Sequence, residues 1–199
     1  TEPYNADFDG DEQNGLAMQS EDTKAEALHV LGVGANIMKD GKPVVAFYQH
    51  MAVAVYLLTR SSERLTVHNA YQMWMQNKHF DYARMPAARV CPDSGEEFYS
   101  GHDMFTPFLP EKMFFEGMDL LVVDGVLLSG RMNKKSLNYG ILKTICEDFG
   151  LDVAKDFING MYPMLNWYLS LRGSSIRVSD SYVPRSDKMK ADIEKARDY

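Results

Sequence analysis

Three aspartates at alternate positions, Asp7, Asp9 and Asp11 in the string NADFDGD (residues 5–11), constrain this chain more than any other feature. In an extended strand, side chains at i, i+2 and i+4 share one face, but Asp and Gly are poor strand formers. A tight loop turns all three toward one point instead, and Gly10 lets it turn without a Cβ clash. Turn chemistry alone accounts for an isolated Asp-Gly. It does not account for three like charges held together, which repel one another. A divalent cation removes that penalty. Mg²⁺ suits the donor set: it is hard, prefers oxygen, and is commonly held by a few carboxylates with water and phosphate completing its shell.

Two familiar acidic motifs fail on this string. A calcium loop of the EF-hand type needs Gly at its sixth position and Glu at its twelfth, where this chain has Glu12 and Met18. The nucleophile loop of haloacid-dehalogenase phosphatases follows an aliphatic strand. Here Glu2-Pro3-Tyr4-Asn5-Ala6 precedes, and Asp11 stands where a threonine is expected.

The 199 residues suffice for one ordinary domain or two small ones, and 45% hydrophobic with 12% aromatic residues is a folding composition. No apolar run is long enough to span a membrane, and no signal peptide opens the chain. The absence of an initiator methionine suggests a processed or split product, or a part of something larger. Cys91 and Cys146 lie far apart with no CxxC spacing, which suits a reducing compartment rather than a disulfide framework or zinc site. A formal charge of −7 argues against a free-standing nucleic-acid binder. The acid is concentrated early: residues 1–30 hold eight Asp or Glu against Lys24 alone.

Along the chain, residues 1–18 read as a loop following a strand. Ser20 caps a predicted helix over 21–31, with Glu21 and Asp22 at its positive end, Ala25, Leu28 and Leu31 on one face, and Gly32 as terminator. A short strand is expected at Val44–Phe47 after the Asp40-Gly41 turn, then an apolar helix over 49–59 and another capped by Thr66. Residues 80–118, with Pro86, Pro92, Pro107 and Pro110, read as irregular. Two apolar runs around Asp124-Gly125 predict a hairpin over 119–130. Helices follow at about 139–149 and 152–172, bounded by Gly150 and Gly173, with Pro163 expected to kink or divide the second. Residues 174–183 alternate like a strand, and 184–199 are polar and helix-prone. Trp74 and Trp167 are expected in the core. The five histidines are dispersed and read as structural or surface residues.

NADFDGD resembles the catalytic loop of the largest subunit of multisubunit DNA-dependent RNA polymerases. The continuation DEQNGLAMQSEDTKAEA is more similar to the archaeal and eukaryotic version, on Glu12 and Asn14, and departs from it at Gln13, Gly15, Leu16 and Met18. The resemblance extends through GKPVVAFYQHMAVAVYLLTR (41–60), with His50 where aspartate is common. It continues in YSGHDMFTPFLP (99–110), with His102-Asp103 in place of Lys-Gln. LLVVDGVLLSGRMNKKSL (120–137), which carries Lys134-Lys135, and LNWYLSLRGSSIRVSDSYV (165–183), with Arg177 and Ser179 where glycines are usual, complete it. Residues 61–98 match poorly. About three quarters of the chain is covered, and the divergence suggests an unusual lineage such as a large DNA virus.

The resemblance implies an α+β chain. Residues 1–60 would be the end of a double-psi β-barrel active-site domain, 61–183 the pore domain, and 184–199 the start of a funnel helix. It implies that Asp7, Asp9 and Asp11 hold a catalytic Mg²⁺ for template-directed transfer of nucleotides from NTPs to the RNA 3′ end. Asn5 would help recognise the nucleotide sugar. A second Mg²⁺ would arrive with the triphosphate. Partners would be other polymerase subunits, above all the second-largest, with DNA template and RNA product. No membrane is implied, and the setting would be the nucleus or a viral transcription site. The alternative is a non-catalytic split subunit or scaffold of a polymerase-like complex. Lys134 and Lys135 read first as a solvated basic pair, and second as an attractor for triphosphates in a pore.

Overall fold

The computed structural model describes residue 4 and residues 6–78 and 80–181. Asn5, His79 and the expected funnel helix at 184–199 lie outside the described residues. Among the described residues, four α-helices and three small antiparallel sheets make a mixed α+β architecture.

Residues 6–20 carry no regular secondary structure. Helix α1 (Glu21–His29) then begins as its sequence dictates: the Ser20 side chain accepts from Thr23 N at 3.2 Å, and Glu21 and Asp22 occupy the first turn. The expected apolar face finds no core, for Leu28 is 72% exposed and Leu31, beyond the helix end, 68%.

The next segment corrects the sequence. Strands β1 (Met38–Lys39) and β2 (Lys42–Pro43) form a minimal hairpin around Asp40-Gly41, and the expected strand at 44–47 does not form. Val44 N and Val45 N both donate to Ile37 O, after which the chain leaves the ladder. Ala46 and Phe47 plunge into the core, and Phe47's backbone is paired by a side-chain amide instead of a neighbouring strand.

Helix α2 (His50–Leu58) buries Met51, Ala54, Val55 and Leu58. Strand β3 (Arg64–Thr66) leads into α3 (Val67–Met75), where Thr66 caps by accepting from Asn69 N. The stretch read as irregular contains three strands. β4 (Arg89–Val90) and β5 (Glu97–Ser100) join β3 in a sheet of order β3-β5-β4, and β6 (Phe115–Gly117) opens the next sheet. Each of the three is four residues or fewer, too short for a period to register.

β7 (Leu120–Val123) and β8 (Val126–Ser129) form the expected hairpin, with Asp124 at φ 49° and Gly125 at φ 71° between the facing Val123 and Val126. Both central residues lie at positive φ, the demand of the two-residue turn that Asp-Gly meets.

Beyond it, residues Ser136–Leu142 and Ile145–Phe149 wind as π-helix, wider than the α-helix expected there. Helix α4 (Leu151–Arg172) runs uninterrupted through Pro163 and packs on α2 and α3, so the expected division does not occur. Residues 174–177 are irregular and Val178–Ser181 form an exposed 3₁₀ turn, so the expected strand does not form over the described part of its range, 174–181. Ile176 at 93% and Val178 at 79% exposure have no sheet face to cover them.

The core gathers residues from Ile37 to Tyr168. Trp74 sits at its centre: its indole N–H donates to Met104 O at 3.2 Å and its ring stacks on Phe80 at 5.5 Å. Such a buried ring contributes both area and a satisfied donor. Trp167 is only partly buried, at the edge of the core.

Candidate active site

Asp7, Asp9 and Asp11 all lie in the exposed loop before α1. Two of them are organised by local backbone. Asp11 Oδ2 accepts from Asp7 N at 2.8 Å, and Asp7 Oδ1 accepts from Phe8 N at 2.8 Å. These bonds fold the loop back on itself, and Gly10 at φ 136° occupies a region where a Cβ is disfavoured. The loop thus brings the Asp7 and Asp11 carboxylates to one stretch of backbone and leaves Asp9 in solvent. Among the described residues, no group of three or more His, Cys, Asp or Glu is arranged to hold a metal ion.

The donor set itself is right for a hard cation, three carboxylates and nothing softer. The apolar neighbours are as exposed as the acids: Phe8 at 87% and Leu16 at 91%.

Lys134 and Lys135 precede the π-helix. Both are exposed, and the Lys134 ammonium stands over the Tyr48 ring at 4.5 Å. His102 is part-buried, and its Nε2 donates to Gly130 O at 2.7 Å, a structural role.

A second polar centre carries no sequence motif. Asp103 is buried and receives a bidentate pair from Arg89, Nε to Oδ2 at 2.8 Å and Nη2 to Oδ1 at 2.7 Å. Ser100 adds its backbone N–H at 2.8 Å and its hydroxyl at 2.7 Å. Burial pushes the Asp103 carboxyl up, but these hydrogen bonds and the Arg89 charge outweigh it and hold the group below the usual carboxylate range. The same pairing raises Arg89. Beside this pair opens a cleft of about 630 Å³ that Arg60 and Arg131 also line. The residues come from segments some thirty to forty positions apart, so no local pattern announces them.

Cys91 faces Ser94 and Arg64. Hydrogen bonds from Ser94, its side chain first, lower the thiol to about 7, while burial pushes Cys146 up. Both are free thiols.

Comparison with known proteins fits this picture. Residues 37–181 match the family model described as RNA polymerase Rpb1, domain 3, and residues 1–33 match that described as RNA polymerase Rpb1, domain 2. DNA-directed RNA polymerase subunit Rpo1N of Halobacterium salinarum is 30% identical over 200 residues, covering 96% of this chain and 20% of the relative. Subunit RPC1 of DNA-directed RNA polymerase III from Saccharomyces cerevisiae is 30% identical over 212 residues, covering 89% of this chain and 14% of the relative. The probable DNA-directed RNA polymerase II subunit RPB1 homolog of Invertebrate iridescent virus 6 is 27% identical over 201 residues, 90% of this chain and 20% of the relative. The chain therefore spans a fifth or less of the length of these relatives. With a match that covers most of its residues, it belongs to the Rpb1 family, the largest subunits of DNA-directed RNA polymerases.

Proposed function

We propose that this chain supplies the metal-binding catalytic loop of a DNA-directed RNA polymerase, acting in template-directed transfer of nucleotides from NTPs to the RNA 3′ end. The observation that carries the reading is the NADFDGD string in a chain of this family, with its three carboxylates on a loop already folded by Asp7 and Asp11. Asp7, Asp9 and Asp11 would hold Mg²⁺. Bound there, the ion supplies Lewis-acid stabilisation of charge at phosphorus oxygens and favours ionisation of the attacking hydroxyl.

The chain's own residues prepare that site. The Asp11 bond to Asp7 N sets the loop's curvature, and Gly10 permits it. Asn5, as an amide, offers both a donor and an acceptor to a sugar hydroxyl. Its position before the loop suits discrimination of ribonucleotides. The partners in this reading are other polymerase subunits, the second-largest first among them, with DNA template and RNA product. The setting is a nucleus or a viral transcription site. The exposed Phe8 and Leu16 would be covered in that assembly, and the chain alone is expected to make no RNA.

One observation favours a second reading, a non-catalytic scaffold segment: the three carboxylates do not converge on a common point within this chain. The two readings separate when Fe²⁺ replaces Mg²⁺ in the assembled polymerase and hydroxyl radicals are generated at the metal. The catalytic reading expects backbone cleavage near residues 5–11. Cleavage elsewhere in the complex and none here would leave the scaffold reading.

A further inference from the structure

Three arginines from separate segments meet at one cleft. Arg60 follows α2, Arg89 lies on β4, and Arg131 follows β8, and the cavity between them is about 630 Å³. That lies within the size range of small-molecule sites. His102, Ser61 and Ser129 also line it, and no Asp or Glu does. In a chain with a formal charge of −7, three guanidinium groups meeting at one cleft stand out.

The charge accounting is asymmetric. Among the described residues, Arg89 alone of the three is held by an acid, and its bond to Asp103 uses the Nε hydrogen and one Nη2 hydrogen. A guanidinium carries five N–H donors in a planar fork, so Arg89 keeps donors for a ligand. Arg131 is poised by the Tyr56 ring, 3.7 Å from its Cζ, a contact that fixes the group without neutralising it. The Arg60 side chain makes no hydrogen bond or ion pair among the described residues, and it is exposed. The wall behind them is braced: Thr59 Oγ1 donates to Val55 O at 2.8 Å and accepts from Met132 N at 2.9 Å, and His102 Nε2 ties to Gly130 O. Both ties flank the residues on either side of Arg131, so the cleft is set by the fold.

We propose that this cleft binds a phosphate-bearing ligand of nucleotide size, with Arg60, Arg89 and Arg131 as its anchors and the serine hydroxyls as secondary donors. Planar guanidinium forks match phosphate oxygens bidentately, and hydroxyl donors complete a phosphate shell. The inference does not depend on the aspartate loop, for none of its residues lines the cleft.

The test is titration calorimetry of the full chain with inorganic tripolyphosphate and with ATP, at low and moderate salt. The variants are Arg60→Glu/Arg131→Glu, the milder Arg60→Gln/Arg131→Gln, and Lys78→Glu as a charge control away from the cleft. Circular dichroism checks each fold, and the milder pair decides if the double reversal does not fold. Saturable binding is expected, weakened about tenfold or more in the arginine variants by loss of charge-assisted bonds, little changed in Lys78→Glu, and weaker at higher salt. Equal affinity for the two probes assigns the site to the phosphates alone. Tighter ATP binding adds a nucleoside contact, and either result supports the proposal. It is overturned if the wild-type chain binds neither probe. It is also overturned if folded arginine variants bind as well as wild type, if Lys78→Glu loses as much, or if a polyglutamate peptide is preferred to both phosphates.

Discussion

Asn138 satisfies both backbone groups of Phe47: its Oδ1 accepts from Phe47 N at 2.9 Å, and its Nδ2 donates to Phe47 O at 2.9 Å. A buried side-chain amide on the π-helix thus takes the place of a neighbouring strand, across 91 residues of sequence. The Phe47 ring stacks on Tyr162 at 5.1 Å, and Tyr162 donates to Ala46 O at 2.8 Å. One short segment is therefore clamped from the π-helix and from α4 together.

Asn138→Ala leaves a buried N–H and a buried C=O unpaired. Each costs about 1–3 kcal/mol, so a loss of about 2–6 kcal/mol is expected. Urea unfolding should show a lower midpoint with an unchanged slope. A midpoint within error of wild type would show that the clamp is dispensable.

Asp103→Asn tests the paired carboxylate. Arg89 is 56% exposed and can return to water, so the cost at neutral pH is held to about 1–3 kcal/mol rather than that of a stranded buried charge. The folded pKa of Asp103 lies below its unfolded value of about 4. Its contribution is therefore fully present above pH ~4 and is lost as pH falls through the depressed folded value. The stability gap between wild type and variant should close over that acid window. A gap that widens on acidification would contradict the assignment.

Cys91 should react with iodoacetamide with a rate that rises through a midpoint of about 7. Cys146, pushed up by burial and by Glu147, should lag at every pH tested. Peptide mapping of a Cys91→Ser variant gives the control. Equal rates for the two thiols at pH 7 would remove the role assigned to Ser94.

Asn5→Ser, placed in the assembled polymerase, should weaken discrimination against deoxynucleotides or raise KM for ribonucleotides. The amide's paired donor and acceptor are the reason. Unchanged kinetics with both sugars would take Asn5 out of the site.

What the sequence made legible was what short-range chemistry decides. Ser20 and Thr66 capped helices because their hydroxyls reach the third residue on, and Asp124-Gly125 turned because both positions need positive φ. The loop before α1 was legible from its Asn, Asp and Gly content, though its three carboxylates do not converge as the motif led one to expect. Val44–Phe47 misled because its apolar run belongs to the core, where Asn138 rather than a strand completes it. Residues 174–181, the described part of the expected strand, alternated without a sheet to meet them. Pro163 left α4 continuous because packing on α2 and α3 outweighs one missing N–H. The Arg60, Arg89 and Arg131 cleft was invisible for a different reason: only the tertiary fold brings those segments together.

The central claim rests on the aspartate loop, and Asp9 offers the cleanest probe. Asp7 and Asp11 hold backbone N–H groups, whereas Asp9 is exposed and makes no hydrogen bond or ion pair among the described residues. Asp9→Ala therefore removes a ligand without removing anything the loop uses to fold. The decisive measurement is RNA extension by the assembled polymerase carrying Asp9→Ala, at saturating Mg²⁺, with assembly checked by gel filtration. The account predicts an intact complex in which extension falls about a thousandfold or more, several kcal/mol of lost transition-state stabilisation, with cleavage of backtracked RNA falling alongside. Near-normal extension by an intact complex would contradict it.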